Sequence, residues 1–453
     1  MALLTEQDIL PTLPDLTATP DSRFWVAYSG GLDSQVLLSL LLKIIPRQQL
    51  RALHINHGIN PLAASWQTHC QRYCEQQGIM FECRKVAVDG SSSSLELQAR
   101  QARYAVFDAL LEPEDFLLMA HHQDDQMETV LYRLLRGSGP RGLAGIPARR
   151  PIGKGTLLRP LLKFNKSALS EYAEANDLSW IEDSSNSDTD FDRNFLRQEI
   201  IPLLKKRWPE AGKSIQRSAE LCTESEILLQ ELARLDGGLH KDNLATSLPL
   251  DSLNKLDKAR QRNVLRHWFQ NLSAHYELPV PGYEELRRIV EELIPASIDA
   301  IPLVAWNKNN DEVQVRRFAG SLYVLKNFPA HFDAGDRDIE PGMQLELGAR
   351  LGTVLLEEVS KEGIPYQEGD RLQIRFTGTE REAKPKGRKT RSFKKLYQDY
   401  GVPPWLRDRI PLLYINGNLA AVADIFICHD NLHEQGRKQL RFNWQRLDIH
   451  CGY

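Results

Sequence analysis

At 453 residues the chain exceeds one usual domain, and its 42% apolar and 26% charged residues suit ordinary packed cores, which excludes disordered and fibrous classes. Lys and Arg number 57 against 60 for Asp and Glu, a net charge of −3 that argues against a protein coating nucleic acid through bulk charge. Six scattered cysteines without a CxxC pair fit a reducing cytosol, with neither a disulfide framework nor the usual spacing for zinc or an iron-sulfur cluster. No targeting peptide is read in Met1–Leu10, and the mainly apolar run Val36–Ile45 is too short for a membrane span.

From Phe24 to about Leu178 short apolar runs alternate with longer amphipathic ones. Strands are predicted at Phe24–Tyr28, Arg51–Ile55, Met80–Ala87 and Phe116–Ala120, and helices at Ser34–Ile44, Ala63–Gln77, Leu95–Leu111 and Asp124–Leu135. Ser93 to Glu96 has capping-box spacing at the start of the third helix. That alternation predicts an α/β fold, a doubly wound, mainly parallel sheet covered on both faces. After about Arg217 the apolar residues recur at helical spacing to about Pro295, then shift to strands between Ile301 and Leu325. Pro329–Pro341, rich in Asp and Pro, reads as a linker to a small α+β unit. The expected division is therefore residues 1–217, 218–330 and 342–453.

The first predicted strand ends in Ser29-Gly30-Gly31-Leu32-Asp33-Ser34 and runs into a helix. Two glycines allow a tight turn with amide donors close together, the helix start adds partial positive charge, and two serines add hydroxyls. The combination suits a pyrophosphate. His54 falls at the end of the second strand, where ligands of doubly wound sheets bind. Asp125 and Glu128 are three apart on one helix face, so their carboxylates can converge on one cation. Arg100 and Arg103 have the same spacing, and a guanidinium fork of either suits a carboxylate or a phosphate. Gly137, Gly139, Gly142 and Gly145, with Arg136 and Arg141, predict a mobile basic loop able to close over a reaction site.

Ser29–Ser34 matches the SGGxDS loop of the N-type ATP pyrophosphatases, also called PP-loop enzymes. Together with His54-Ile55-Asn56-His57-Gly58, Ala99-Arg100-Gln101-Ala102-Arg103-Tyr104, the run from His121 to Thr129, Arg136-Gly137-Ser138-Gly139 and Arg193-Asn194-Phe195-Leu196-Arg197, it resembles the tRNA(Ile)-lysidine synthetase family. The resemblance implies ATP and magnesium, free L-lysine, and an isoleucine tRNA with a CAU anticodon whose wobble cytidine is adenylated and then joined to lysine. It implies ATP contacts from Ser29, Gly30, Gly31, Leu32, Asp33, Ser34 and His54, with Asp33 also toward magnesium. Asp33, Asp125 and Glu128 become the catalytic candidates. Arg100, Arg103, Asp125 and Glu128 become candidates for lysine, and Arg136, Arg141, Arg193 and Arg197 for the tRNA. A tRNA thiolase of the same superfamily, or a non-catalytic nucleotide-sensing RNA-binding protein, are the rival readings; the missing CxxC weighs against the first and the intact loop against the second.

The near-neutral total hides a segregation. Arg371–Lys395 holds ten basic residues and two acidic ones, a local +8 that leaves −11 for the remainder. Between predicted strands, and with Phe393, Tyr397 and Trp405 close by, this run reads as a folded RNA-backbone surface. Its RNA-contact candidates are Lys384, Lys386, Arg388 and Lys389, followed by Arg391, Lys394 and Lys395.

Overall fold

The computed structural model describes all residues except 1–2, 18–20, 59, 87–94, 183–191, 240–244, 298–299, 301, 309–310, 329–334, 349–350, 377–380, 429–437 and 446–453. The chain forms two compact units, Met1–Leu228 and Leu229–Tyr453. Among the described residues no helix is long and apolar enough to cross a membrane.

The first unit is built on strands β1 (Phe24–Ala27), β2 (Leu50–Asn56), β3 (Met80–Lys85), β4 (Phe116–Leu118), β5 (Arg149–Ile152) and β6 (Gly155–Leu158). They are ordered β3-β2-β1-β4-β6-β5, with every pairing parallel except that of β5 with β6. Among its helices are α1 (Leu32–Leu41), α2 (Ala63–Gln77), α3 (Leu95–Leu110), α4 (Gln123–Leu135) and α5 (Lys166–Ala175). The strands and helices predicted between Phe24 and Leu135 are all present; the hairpin β5–β6 and the helix α5 are additional. The Ser93-Ser94 capping site lies outside the described residues.

Alternation along the strands explains the two layers. Phe24, Val26, Leu50, Ala52, Phe116 and Leu118 belong to one core with the buried residues of α1 and α5. Their neighbours Trp25, Leu53, Leu117 and Leu157 belong to the other, against Phe107 and Leu111. Successive side chains of a strand face opposite ways, so helices on both faces demand continuous apolar runs such as Phe24–Ala27. Strand order climbs outward from β1 to β3 and then resumes on the opposite side of β1 at β4. The crevice between the ends of β1 and β4 is thus a topological switch point, where the loops after these strands diverge and leave room for a ligand.

In the second unit, β7 (Ser247–Pro249), β8 (Leu303–Lys308), β9 (Asp311–Phe318) and β10 (Ser321–Lys326) form an antiparallel sheet ordered β7-β10-β9-β8. It shares a core with the helices Lys258–Tyr276 and Tyr283–Arg288 through Trp268, Phe269, Leu286 and Val324. The C-terminal part is strand-rich, with the helix Phe393–Asp399 following the two-residue strand Arg391–Ser392. Two expectations are corrected here. Arg337–Asp338, inside the stretch read as a linker, pairs with the strand Leu372–Arg375. Tyr397 and Trp405, read as neighbours of the basic run's surface, are 7% and 5% exposed and belong to the core beneath it.

Candidate active site

The Ser29–Ser34 loop joins β1 to α1 at the switch point. Gly30 has φ +84°, a left-handed conformation, and a Cβ there would lie 2.7 Å from both Cys70 Sγ and Ile181 Cδ1, so only glycine fits. Gly31 is the N-cap of α1. Ser29 Oγ and Ser34 Oγ are 3.1 Å apart, and the Gly31 amide faces Ser29 Oγ at 3.3 Å. Both hydroxyls thus stand at the helix start, where free amides and the helix dipole favour an anion.

His54, near the end of β2, is buried, and its Nδ1 donates to Tyr28 O at 3.0 Å. Burial lowers its pKa. The ring therefore braces the carbonyl immediately before the phosphate loop.

From β4 the chain passes through His121 and His122 into α4. His122 caps that helix: its Nδ1 accepts from Asp124 N at 3.2 Å, and its own amide donates to Asp125 Oδ2 at 2.9 Å. Its Nε2 stands 3.6 Å from Asp33 Oδ2 and 3.6 Å from Asp125 Oδ2. Burial opposes a charge on His122, but the contact with Asp33 and the charge of Asp125 outweigh it and raise the pKa. For Asp33 burial would raise the pKa, and His122 more than reverses this. Asp33 Oδ1 is buried and has no hydrogen-bond partner among the described residues.

Asp125 and Glu128 do converge, and the cation between them is Arg197. Its Nη2 lies 2.8 Å from Asp125 Oδ1 and 2.8 Å from Glu128 Oε2, while Arg193 Nε stands 3.7 Å from Glu128 Oε1. The two arginines expected on the tRNA thus face the carboxylates. Burial raises the Glu128 carboxyl above its ordinary range, with Arg197 pulling the other way. Asp124 is engaged by Lys205 Nζ at 2.7 Å.

Arg100 and Arg103 separate. Arg100 lies over the Tyr104 ring at 4.8 Å, whereas Arg103 Nη2 is 3.4 Å from His57 Nε2. Burial, and next Arg103, push His57 down to about 4, so it is neutral near pH 7. The glycine-rich segment is more ordered than its composition predicts. Pro140–Leu143 is a helical turn, and Arg133 Nη1 donates to Gly142 O at 2.9 Å and Gly145 O at 2.8 Å. Arg136 and Arg141 are exposed there.

In the C-terminal part, Lys386, Arg388, Lys389, Arg391, Lys394 and Lys395 are exposed and Lys384 is half-buried. Arg391 pairs with Asp399 at 2.5 Å. Arg388 lies over Tyr400 at 5.0 Å, and Tyr400 stacks on Phe426 at 5.2 Å. Tyr400, absent from the sequence-based candidates, is the ring that Arg388 covers. His122 was missed as well, although a capping residue three before Asp125 was the available signal. Arg159, beyond the unpredicted hairpin, carried none.

Burial pushes Cys70 and Cys74 up to about 12, which removes them from thiolate chemistry near pH 7. Among the described residues no cluster of three or more His, Cys, Asp or Glu could hold a metal by itself.

The family model of the PP-loop domain matches residues 5–204, that of the TilS substrate binding domain 248–323, and that of the TilS substrate C-terminal domain 372–444. The chain is 40% identical over 418 residues to a tRNA(Ile)-lysidine synthase of Coxiella burnetii, with 91% of each chain covered. It is 38% identical over 450 residues to one of Pectobacterium atrosepticum, covering 97% of this chain and 98% of that one. With one of Serratia proteamaculans it shares 39% identity over 430 residues, covering 93% and 95%.

Proposed function

The chain belongs to the tRNA(Ile)-lysidine synthase family, and from this we propose that it joins free L-lysine to C2 of the wobble cytidine of the CAU-anticodon isoleucine tRNA. It is an ATP-dependent ligase that forms a carbon–nitrogen bond. The observation that carries the assignment of the site is the meeting, at one switch point, of an anion-binding loop and a pair of carboxylates.

ATP and the cytidine react first. The C2 oxygen attacks the α-phosphorus, the bond to the β-phosphate oxygen breaks, and pyrophosphate departs. The amides and hydroxyls of Ser29–Ser34 receive its charge, with His54 fixing the strand end behind them. Asp33 Oδ1, buried and without a hydrogen-bond partner among the described residues, is the atom that would hold magnesium. Magnesium bound there would screen the phosphate charge.

Lysine reacts second. Its ε-amine attacks C2 and AMP departs with the former C2 oxygen, a far better leaving group than the unactivated oxygen. Asp125 and Glu128 receive the ammonium in place of Arg197, and Glu128, its pKa raised by burial, accepts the proton that must leave before attack. Of the two α3 arginines, Arg103 beside His57 takes the lysine carboxylate.

The target base must leave the anticodon stack to enter the crevice. Arg136, Arg141, Arg193 and the released Arg197 then hold RNA at the first unit, and the exposed cations between Lys384 and Lys395 hold it at the second. Residues 1–217 would serve catalysis, 218–330 substrate binding and 342–453 tRNA binding. We place the reaction in the cytoplasm, where tRNA, ATP and lysine meet.

Incubation with radiolabelled lysine, ATP, magnesium and the CAU-anticodon isoleucine tRNA should transfer label to the RNA. No transfer, with the protein folded and ATP bound, would remove this function.

A further inference from the structure

The β4–β6 end of the sheet gathers cations that the two-step reaction leaves unused. Tyr104 of α3 has two guanidinium groups at its ring, Arg100 Cζ at 4.8 Å and Arg150 Cζ at 5.1 Å. Arg100 lies one helical turn before it, and Arg150 is carried by β5, opposite Leu157 in the register with β6. A third guanidinium comes from Arg159, directly after β6 and only 4% exposed. Its Nε donates to His121 Nδ1 at 3.2 Å and its Nη1 to Pro147 O at 2.6 Å.

Among the described residues none of these three arginines has a carboxylate within salt-bridge distance. Like charges this close repel, and burying one without a counter-charge is costly. Burial brings the Arg159 guanidinium down to about 10. Burial would raise the Tyr104 hydroxyl, but the positive charge of Arg100 and its neighbours outweighs it and lowers the pKa. Three guanidinium groups meet around one ring, and arginine forks match oxyanion geometry.

We propose that Arg100, Arg150 and Arg159, gathered around Tyr104, form a receptor for the phosphodiester backbone of the RNA strand that flanks the reacting base. Two observations favour a strand over a small carboxylate. Arg100 is exposed and Arg150 half-buried, so the receptor is open at its rim, with the buried Arg159 as its floor. A strand also brings successive phosphates to three positive charges, whereas a free amino acid brings one carboxylate. Position agrees: Arg159 holds His121, and the next residue, His122, faces Asp33 of the phosphate loop.

The proposal rests on the RNA-directed reading of the site, and its first readout, the binding of tRNA, needs no turnover. Binding of the CAU-anticodon isoleucine tRNA to the full chain is titrated across salt concentrations for wild type, Arg150→Gln and Arg100→Gln. Each variant should bind more weakly and show a log–log salt slope shallower by about 1, with KM for lysine and ATP unchanged. Arg100 is exposed, so its variant carries the test even if Arg150→Gln fails to fold. An unchanged slope in Arg100→Gln overturns the proposal, and a raised KM for lysine at unchanged slope assigns the site to the carboxylate instead. Were wild type to bind tRNA but transfer no lysine, the ligase reading would fall while the slopes still decided this one.

Discussion

Asp33, His122, Asp125 and Glu128 behave as one linked set, because a single imidazole faces Asp33 and Asp125 and a single guanidinium joins Asp125 to Glu128. Glu128→Gln should lower kcat/KM for lysine by about 10²-fold or more, since both a charge partner and a proton acceptor are lost. Pyrophosphate release from ATP and tRNA should persist; equal loss in both half-reactions would place Glu128 in the first step. Acid should weaken the first unit through other histidines. Burial, the leading cause for both, brings His57 and His121 from 6.5 to about 4, so the unfolded chain binds more protons across that window and stability falls as pH drops through it. Thermal melting followed from pH 7 to 4 checks this, and His121→Gln should flatten the dependence. Asp33, Asp125 and Glu128 were legible in the sequence from motif spacing, whereas His122 was not picked out as a site residue. Arg197 as the cation between the carboxylates was not legible, because 69 residues separate it from Glu128 and only the fold brings them together.

At the scale of elements, the strand–loop–helix unit β1–α1 was readable because the apolar run, the glycines and the helical pattern follow one another without interruption. Gly30→Ala tests it. The positive φ and the close approach of Cys70 and Ile181 should together cost about 1–3 kcal/mol and raise KM for ATP, seen by melting and by ATP titration. A variant with wild-type melting and ATP binding would show that the loop tolerates a Cβ. The hairpin β5–β6 was not readable: its strands are four residues each, one contains Pro151, and its place depends on β4 offering a free edge. The glycine-rich segment misled for a related reason. Composition predicts freedom, but Arg133 and Gln126 bind its backbone from α4, contacts that sequence proximity does not reveal.

Across the whole molecule the charge is divided, with +8 in Arg371–Lys395 and −11 elsewhere, and most of the described basic side chains of that run are exposed. Some are already engaged within the protein: Arg371 pairs with Asp338, Arg375 with Asp336 and Arg391 with Asp399. The charge available for the proposed RNA contact is therefore smaller than the count implies. Replacing Lys386, Arg388 and Lys389 by Ala should weaken tRNA binding and make its log–log salt slope shallower by about 2–3. An unchanged slope would mean that the run is only a solvated face.

By itself the sequence determined the doubly wound sheet, the phosphate loop and the family, because these rest on local periodicity and on residues close together in the chain. Only the tertiary structure decided what each charged side chain faces. It placed Asp33 beside His122, Arg197 between two carboxylates, and Tyr397 and Trp405 inside a core. The physical reason is range: hydrogen-bonded turns and amphipathic faces are set within a few residues, whereas the partner of a charge or a ring is set by how distant elements pack.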